Sequence, residues 1–432
     1  MKDSRRLRTV INRRATDNPT LMSQRYATVR AATEALAAPL SAEDCAIQSM
    51  PDASPIKWHL AHTSWFFETF ILEAHVAGYR SFRPAFRVLF NSYYNAVGEK
   101  HPRAQRGLLS RPSRDEVLAY RTHVDAEMAG FLESDRAEGG DAVALVELGL
   151  NHEEQHQELI LTDLLHMLSC NPLAPAYVSD ATDFRPGTVL PLKWVEFEAG
   201  LVEVGHDGKG FAFDNETPRH RQYLERFALA SRPVTNGEYL GFIADGGYRR
   251  PELWLSEGWD WVNANHVEAP LHWRRTGGDW QQFTLAGQRP LDPATPVCHA
   301  SLFEADAYAR WAAARLPTEA EWEVAATNLP AQGHFVEDGL LRPMPAVDHG
   351  TALAQLFGDV WEWTQSAYAP YPGFRPSAGA VGEYNGKFMS NQYVLRGGSF
   401  ATPRSHIRAT YRNFFPAPAR WQFSGFRLAR NV

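Results

Sequence analysis

Asn151-His-Glu-Glu-Gln-His-Gln-Glu158 places His152 and His156 four residues apart inside a strongly helical run. On a helix, positions i and i+4 lie one above the other, with Cβ atoms roughly 5–6 Å apart. Two imidazoles so placed can reach one metal ion, whose bonds to nitrogen are about 2.0–2.1 Å. Two histidines do not close a coordination sphere, so a third ligand must come from another segment. Trp58-His-Leu-Ala-His-Thr-Ser-Trp65 offers His62, with His59 as its rival. The plain alternative is a solvated helix face that carries two unrelated histidines.

Working outward from this stretch, residues 20–170 read as helices. Leu21 to Leu36 has apolar residues at helical spacing, and Ile56 to Val76 repeats the pattern with Pro55 suited to its first turn. Arg114 to Leu132 opens on Ser113 with Glu116 three residues later, the signature of a capping box. Asp141 to Leu168 carries the paired histidines. Four amphipathic helices imply a bundle, where metal sites are built from inward-facing side chains of different helices. The connection from Gly78 to Pro112 is rich in Arg, Tyr and Asn and should cross the mouth of that bundle.

Composition bounds the rest. A chain of 432 residues exceeds the size at which one core keeps growing, so two domains are expected. A hydrophobic fraction of 44% and a charged fraction of 22% are those of an ordinary globular protein. Net charge of −7 argues against broad binding to nucleic acid or to an anionic membrane. Cys45, Cys170 and Cys298 are scattered, with no CxxC pair and no disulfide framework, which fits a reducing cytoplasm. No window approaches the ~20 apolar residues of a membrane span. Residues 1–19 are basic without an apolar core and read as a flexible leader.

Residues 171–192, with several prolines and little periodicity, read as a linker. From residue 193 to 432 short β-type pieces such as Val195-Glu-Phe-Glu198 and Phe227-Ala-Leu-Ala230 alternate with loops rich in Gly, Pro and Trp. Glu304 to Ala314 and Thr318 to Ala326 are the helical exceptions. The expected class is therefore multidomain: an α-helical bundle followed by a loop-dominated α+β domain.

The second half carries a series of motifs in order: Asn215-Glu-Thr-Pro-Arg-His220, Pro233-Val-Thr-Asn-Gly-Glu-Tyr239, Arg315-Leu-Pro-Thr-Glu-Ala-Glu-Trp322, Phe357-Gly-Asp-Val-Trp-Glu-Trp363, Leu395-Arg-Gly-Gly-Ser-Phe400 and Phe423-Ser-Gly-Phe-Arg-Leu428. These resemble the formylglycine-generating-enzyme fold, which is related to C-type-lectin-like scaffolds. Formylglycine formation needs a pair of reactive cysteines, and Cys298 is the only cysteine after the linker. The first half resembles the DinB-like four-helix bundle, whose upstream His and HxxxHxE signature appear as His62, His152, His156 and Glu158. The two together resemble the EgtB-type sulfoxide synthases of the ergothioneine pathway. That resemblance implies an Fe(II) enzyme that uses O2 to join the sulfur of a thiol to the imidazole C2 of Nα-trimethylhistidine (hercynine). The ligand set alone also suits zinc, as in DinB-like thiol transferases. Ovothiol-type and selenium-transferring relatives are further alternatives, as is a non-catalytic binding module.

The resemblance also implies roles for individual residues. His62, His152 and His156 would hold the metal, with Glu158 orienting a neighbouring imidazole from outside the coordination sphere. Gln155 and Asn413 would hold hercynine, and Phe414 would face its trimethylammonium group, a cation–π contact of about 0.5–2 kcal/mol. Arg103 and Arg106 match an Arg-x-x-Arg pair that binds the carboxylate of the thiol substrate. Phe415 stands where the mycobacterial branch, which uses γ-glutamylcysteine, has an Asp; the phenyl ring points to free cysteine as donor. Asn91-Ser-Tyr-Tyr-Asn95 resembles the cysteine-using branch, with Tyr94 as the catalytic acid and Tyr93 as its support. Tyr368 and Tyr371 resemble tyrosines near the site in the mycobacterial branch.

Overall fold

The computed structural model describes residues 22–134, 141–179, 187–348, 350–377 and 379–432. The leader expected at 1–19 lies outside them, as does 180–186 of the expected linker. The chain divides into two compact units. One runs to Tyr177 and includes the distant segment Ser377–Tyr384; the other comprises Val178–Pro376 and Asn385–Val432. The break at Tyr177/Val178 falls inside 171–192, and the segment Ser377–Tyr384 joins the first unit from within the second half. Tyr177 donates its hydroxyl hydrogen to the Leu36 carbonyl at 2.8 Å and so belongs with the helices.

The first unit is built on α1 (Met22–Ala37), α2 (Ile56–Phe67), α3 (Arg114–Leu132) and α4 (Asp141–Ser169). A π-helical turn, Glu68–Leu72, extends α2 into Glu73–His75. The capping box at Ser113 and Glu116 forms as the sequence spacing predicts, a feature worth about 1 kcal/mol at a helix start. All twelve residues of α2 are buried, which a merely amphipathic helix would not allow, so it is the central helix of the bundle.

Two interactions fix how α4 presents its faces. Glu153 lies between two buried guanidiniums, Arg30 on α1 at 2.9 Å and Arg121 on α3 at 3.0 Å. Gln157, one turn on, donates to the Val29 carbonyl and the Thr33 hydroxyl of α1. Residues 153 and 157 thus tie one face of α4 to α1 and α3, which leaves 152 and 156 to face α2. Gly149 allows the close approach, because a Cβ there would sit 2.6 Å from the Phe67 ring and 3.0 Å from Phe66.

In the second unit the strands among the described residues form four small sheets: β1 (Trp194–Phe197), β4 (Phe227–Ala230) and β12 (Ala429–Asn431); the hairpin β2 (Gly200–Val204) with β3 (His220–Leu224); β5 (Trp273–Thr276), β6 (Asp279–Thr284) and β7 (Gly287–Pro290); and β8 (Trp361–Ala367), β9 (Tyr393–Arg396), β10 (Asn413–Phe415) and β11 (Ser424–Phe426). The last is ordered β10-β9-β8-β11, with β11 parallel to β8. Helices α5 (Asn236–Ala244), α7 (Leu302–Trp311) and α8 (Glu319–Ala326) each start on a capping box, and α6 (Ser256–Asn265) does not. The sequence motifs have a shared structural reason. The buried Glu362 carboxylate accepts from Trp322 at 2.8 Å and pairs with Arg427 at 2.8 Å. One carboxylate thereby joins three motifs distant in the chain. Among the described residues no helix is long and apolar enough to cross a membrane.

Candidate metal centre

The residues of α2 and α4 bring three histidines together. Ring centroids of His62 and His152 are 4.9 Å apart, those of His62 and His156 4.8 Å, and those of His152 and His156 4.6 Å. One ligand nitrogen from each lies within 4.8 Å of the others. His62 donates from Nδ1 to the Phe90 carbonyl at 2.6 Å, which leaves the Nε2 lone pair facing inward. His62 Nε2 and both ring nitrogens of His152 are buried without a hydrogen-bond partner. Each such orphan costs about 1–3 kcal/mol, a cost a bound metal ion would remove at His62 Nε2 and at one nitrogen of His152.

Electrostatics favour the neutral, ligating form. Burial, followed by the neighbouring imidazoles, pushes His62 and His156 well below the ordinary histidine value. Burial also lowers His152 to about 3, against the pull of Glu153. Neutral imidazoles carry the lone pairs a metal needs. Three nitrogens suit Fe(II) or Zn(II) and leave room for further ligands.

His59 is not part of the triad. Its Nδ1 lies 2.8 Å from Nδ1 of His156, and its Nε2 lies 3.0 Å from Asp163. Outside the triad, His59 contacts the ring of His156 and the Phe90 carbonyl that of His62.

The arginine pair separates. Arg106 is 3% exposed and stacks on Trp58 at 3.3 Å, while Trp58 stacks on His62 at 4.5 Å. Its hydrogen bonds go to the neutral hydroxyls of Ser54 at 2.9 Å and Ser92 at 3.4 Å. Burial, with Arg103 nearby, lowers its pKa to about 8, the mark of a guanidinium that would gain from an anion. Arg103 is exposed and donates to the Asp52 carbonyl.

Tyr94 is fully buried beside Tyr93, with ring centroids 4.6 Å apart, and it packs on Trp65 at 5.6 Å and Phe70 at 5.2 Å. Burial, then the neighbouring phenols, raises its pKa well above the ordinary value, so the hydroxyl keeps its proton. Sequence reasoning missed Tyr384. Its ring lies 5.6 Å from His152 and 6.3 Å from Tyr93, and its hydroxyl donates to Gln155 Oε1. The adjacent Glu383 accepts from the backbone nitrogens of Asn95 at 3.1 Å and Ala96 at 2.8 Å, pinning the loop that holds the tyrosine pair. Only the Glu-Tyr dipeptide marks this segment, and nothing local in the sequence links it to the bundle.

Asn413, Phe414 and Phe415 form β10 of the second unit. Phe414 stacks on Tyr368 at 4.0 Å, and Phe415 meets Trp421 edge-on at 5.6 Å. Tyr368 accepts from Asn215 at 2.9 Å. Tyr371 accepts from Arg396 at 3.0 Å within the buried cluster that includes Glu319 and Arg412.

Comparison with known proteins agrees with this architecture. The DinB superfamily matches residues 25–160, and the sulfatase-modifying factor enzyme 1-like domain matches 190–339 and 339–432. The hercynine oxygenase of Mycobacterium tuberculosis is 33% identical over 96% of this chain and 100% of its own length. That of Mycolicibacterium thermoresistibile is 32% identical over 88% of each chain. Ergothioneine biosynthesis protein 1 of Schizosaccharomyces pombe is 30% identical over 51% of this chain and 28% of its own. With both domains matched in order and the first relative covered from end to end, the chain belongs to the hercynine oxygenase family.

Proposed function

We propose that this chain is an O2-dependent Fe(II) sulfoxide synthase of ergothioneine biosynthesis. It joins the sulfur of free cysteine to the imidazole C2 of hercynine, in the cytoplasm. The observation that carries the reading is the convergence of His62, His152 and His156, with His62 Nε2 and the ring nitrogens of His152 left unpartnered, in a hercynine oxygenase relative. The reaction balances with one O2. One oxygen atom stays on sulfur and the other leaves as water, while the C–H and S–H bonds are lost and the new C–S and S–O bonds form.

The three imidazoles would hold Fe(II), whose chemistry is the activation of O2 beside both reactants. Arg106 would bind the cysteine carboxylate, since its fork has only neutral hydrogen-bond partners and a charge-assisted contact adds about 1.5–3 kcal/mol. Arg103 would guide the same group from the surface. Gln155, held by Tyr384, and Asn413 would hydrogen-bond hercynine without adding charge. Phe414, backed by Tyr368, would face the trimethylammonium group. Tyr94 holds a proton at Oη and would deliver it as oxygen is reduced, with Tyr93 supporting its position. Phe415 offers no acceptor to an ammonium group, which favours cysteine over γ-glutamylcysteine.

The test is anaerobic loading with Fe(II), then addition of cysteine, hercynine and O2, with mass analysis of the product. The expected species has the mass of both reactants plus O2 less one water. Oxygen consumption by iron-loaded protein with no C–S product would overturn the reading, and preference for γ-glutamylcysteine would overturn the choice of donor.

A further inference from the structure

We propose that His59 and Asp163 form a positioning relay that fixes the tautomer of His156, so that His156 presents Nε2 to the metal. The inference rests on the metal-centre reading and assigns residues outside the three ligands.

The assignment follows from hydrogen-bond bookkeeping. Asp163 Oδ2 accepts the Ser54 backbone N–H at 2.8 Å, so this oxygen acts as an acceptor. The same oxygen lies 3.0 Å from His59 Nε2, which must therefore carry the hydrogen of that contact. In a neutral imidazole one nitrogen donates and the other accepts, so His59 Nδ1 is the acceptor. It lies 2.8 Å from His156 Nδ1, which must then be the donor. The hydrogen on His156 is thus held at Nδ1, and the lone pair is left on Nε2. His62 reaches the same state by a shorter route, through Nδ1 and the Phe90 carbonyl.

Every member is enclosed: His59 is 2% exposed, Asp163 4% and His156 7%. Water is poorly placed to replace the relay if it is cut. His59 and Ser54 flank the start of α2, while Asp163 and His156 lie about two turns apart on α4. The relay therefore also fixes the height of α4 against α2, and with it the separation of His156 from His62. Outer contacts of this kind typically change metal affinity by about 10- to 100-fold.

The test uses the full-length, metal-free protein. Co(II) affinity is measured by chelator competition for wild type, His59→Phe, Asp163→Leu and Asp163→Asn, beside thermal melting of each. His59→Phe and Asp163→Leu remove the relay and should weaken Co(II) binding at least about tenfold. Asp163→Asn keeps an oxygen where Oδ2 lies and should stay within a few-fold of wild type. Imidazole 15N shifts of His156 in metal-free wild type should show hydrogen on Nδ1.

Wild-type affinity in His59→Phe overturns the relay while leaving the metal centre standing. Failure of wild type to bind Co(II) overturns the metal centre and the relay's purpose with it. Hydrogen on Nε2 of His156 overturns the relay directly, including where a variant does not fold.

Discussion

Replacing Glu153 with Gln should destabilise the helical unit by roughly 3 kcal/mol at neutral pH, without touching a metal ligand. Burial alone would raise this carboxyl, but Arg30 and Arg121 hold it at about 2 against an ordinary value of 4.5. A difference of about 2.5 pK units at 1.36 kcal/mol each gives roughly 3 kcal/mol. Stranding a buried charge by removing its partner costs about 3–5 kcal/mol. The lower end applies here, because Arg30 keeps Asp125 at 2.6 Å and Arg121 keeps Glu34 at 3.3 Å. For a unit of this size the loss corresponds to a fall in Tm of roughly 6–12 °C. The pH dependence has a definite sign. The folded-state value is depressed, so the stabilisation is fully present above 4.5 and is lost as pH falls towards 2. The gap between wild type and variant should be widest at neutral pH and roughly halved by about pH 3. Urea unfolding of metal-free protein, followed by far-UV circular dichroism across that range, measures it. Equal midpoints at neutral pH, or a gap that widens on acidification, would refute the placement of Glu153 between the two guanidiniums.

Arg106→Leu should raise KM for cysteine roughly 10- to 100-fold, the equivalent of a charge-assisted contact, whereas Arg103→Ala should change it less than about threefold; steady-state kinetics with varied cysteine separates them. Tyr94→Phe should shift product from sulfoxide towards cysteine sulfinate, read by mass analysis of both; an unchanged ratio in this variant and in Tyr93→Phe removes the tyrosine assignment. Gly149→Ala should cost about 1–3 kcal/mol by overpacking against Phe66 and Phe67. The same change should weaken Co(II) binding, because it separates α4 from α2.

The helices of the first unit were legible because their signals are local. Ser113 and Glu116 mark a start, and the spacing of His152 and His156 survives any packing of the helix that carries them. The third ligand was harder, since Trp58 to Trp65 holds two histidines and all of α2 is buried, so no polar face distinguishes them. What separates His62 from His59 is the partner of each ring, a carbonyl at Phe90 for one and the Asp163 carboxylate for the other. Those partners lie 28 and 104 residues away in the chain, beyond the reach of any periodicity. The same limit hid Tyr384. It lies 229 residues from Gln155 in the chain. The motifs of that half were visible as words, but their reason was not. Trp322, Glu362 and Arg427 acquire meaning only when a single carboxylate gathers the indole and the guanidinium. Local sequence thus specifies which side chains a helix can offer, and long-range hydrogen bonds decide which nitrogen of each ring is offered. For a three-histidine centre that second decision is the chemical one. A histidine turned to present N–H instead of a lone pair is present in the fold and absent from the coordination sphere.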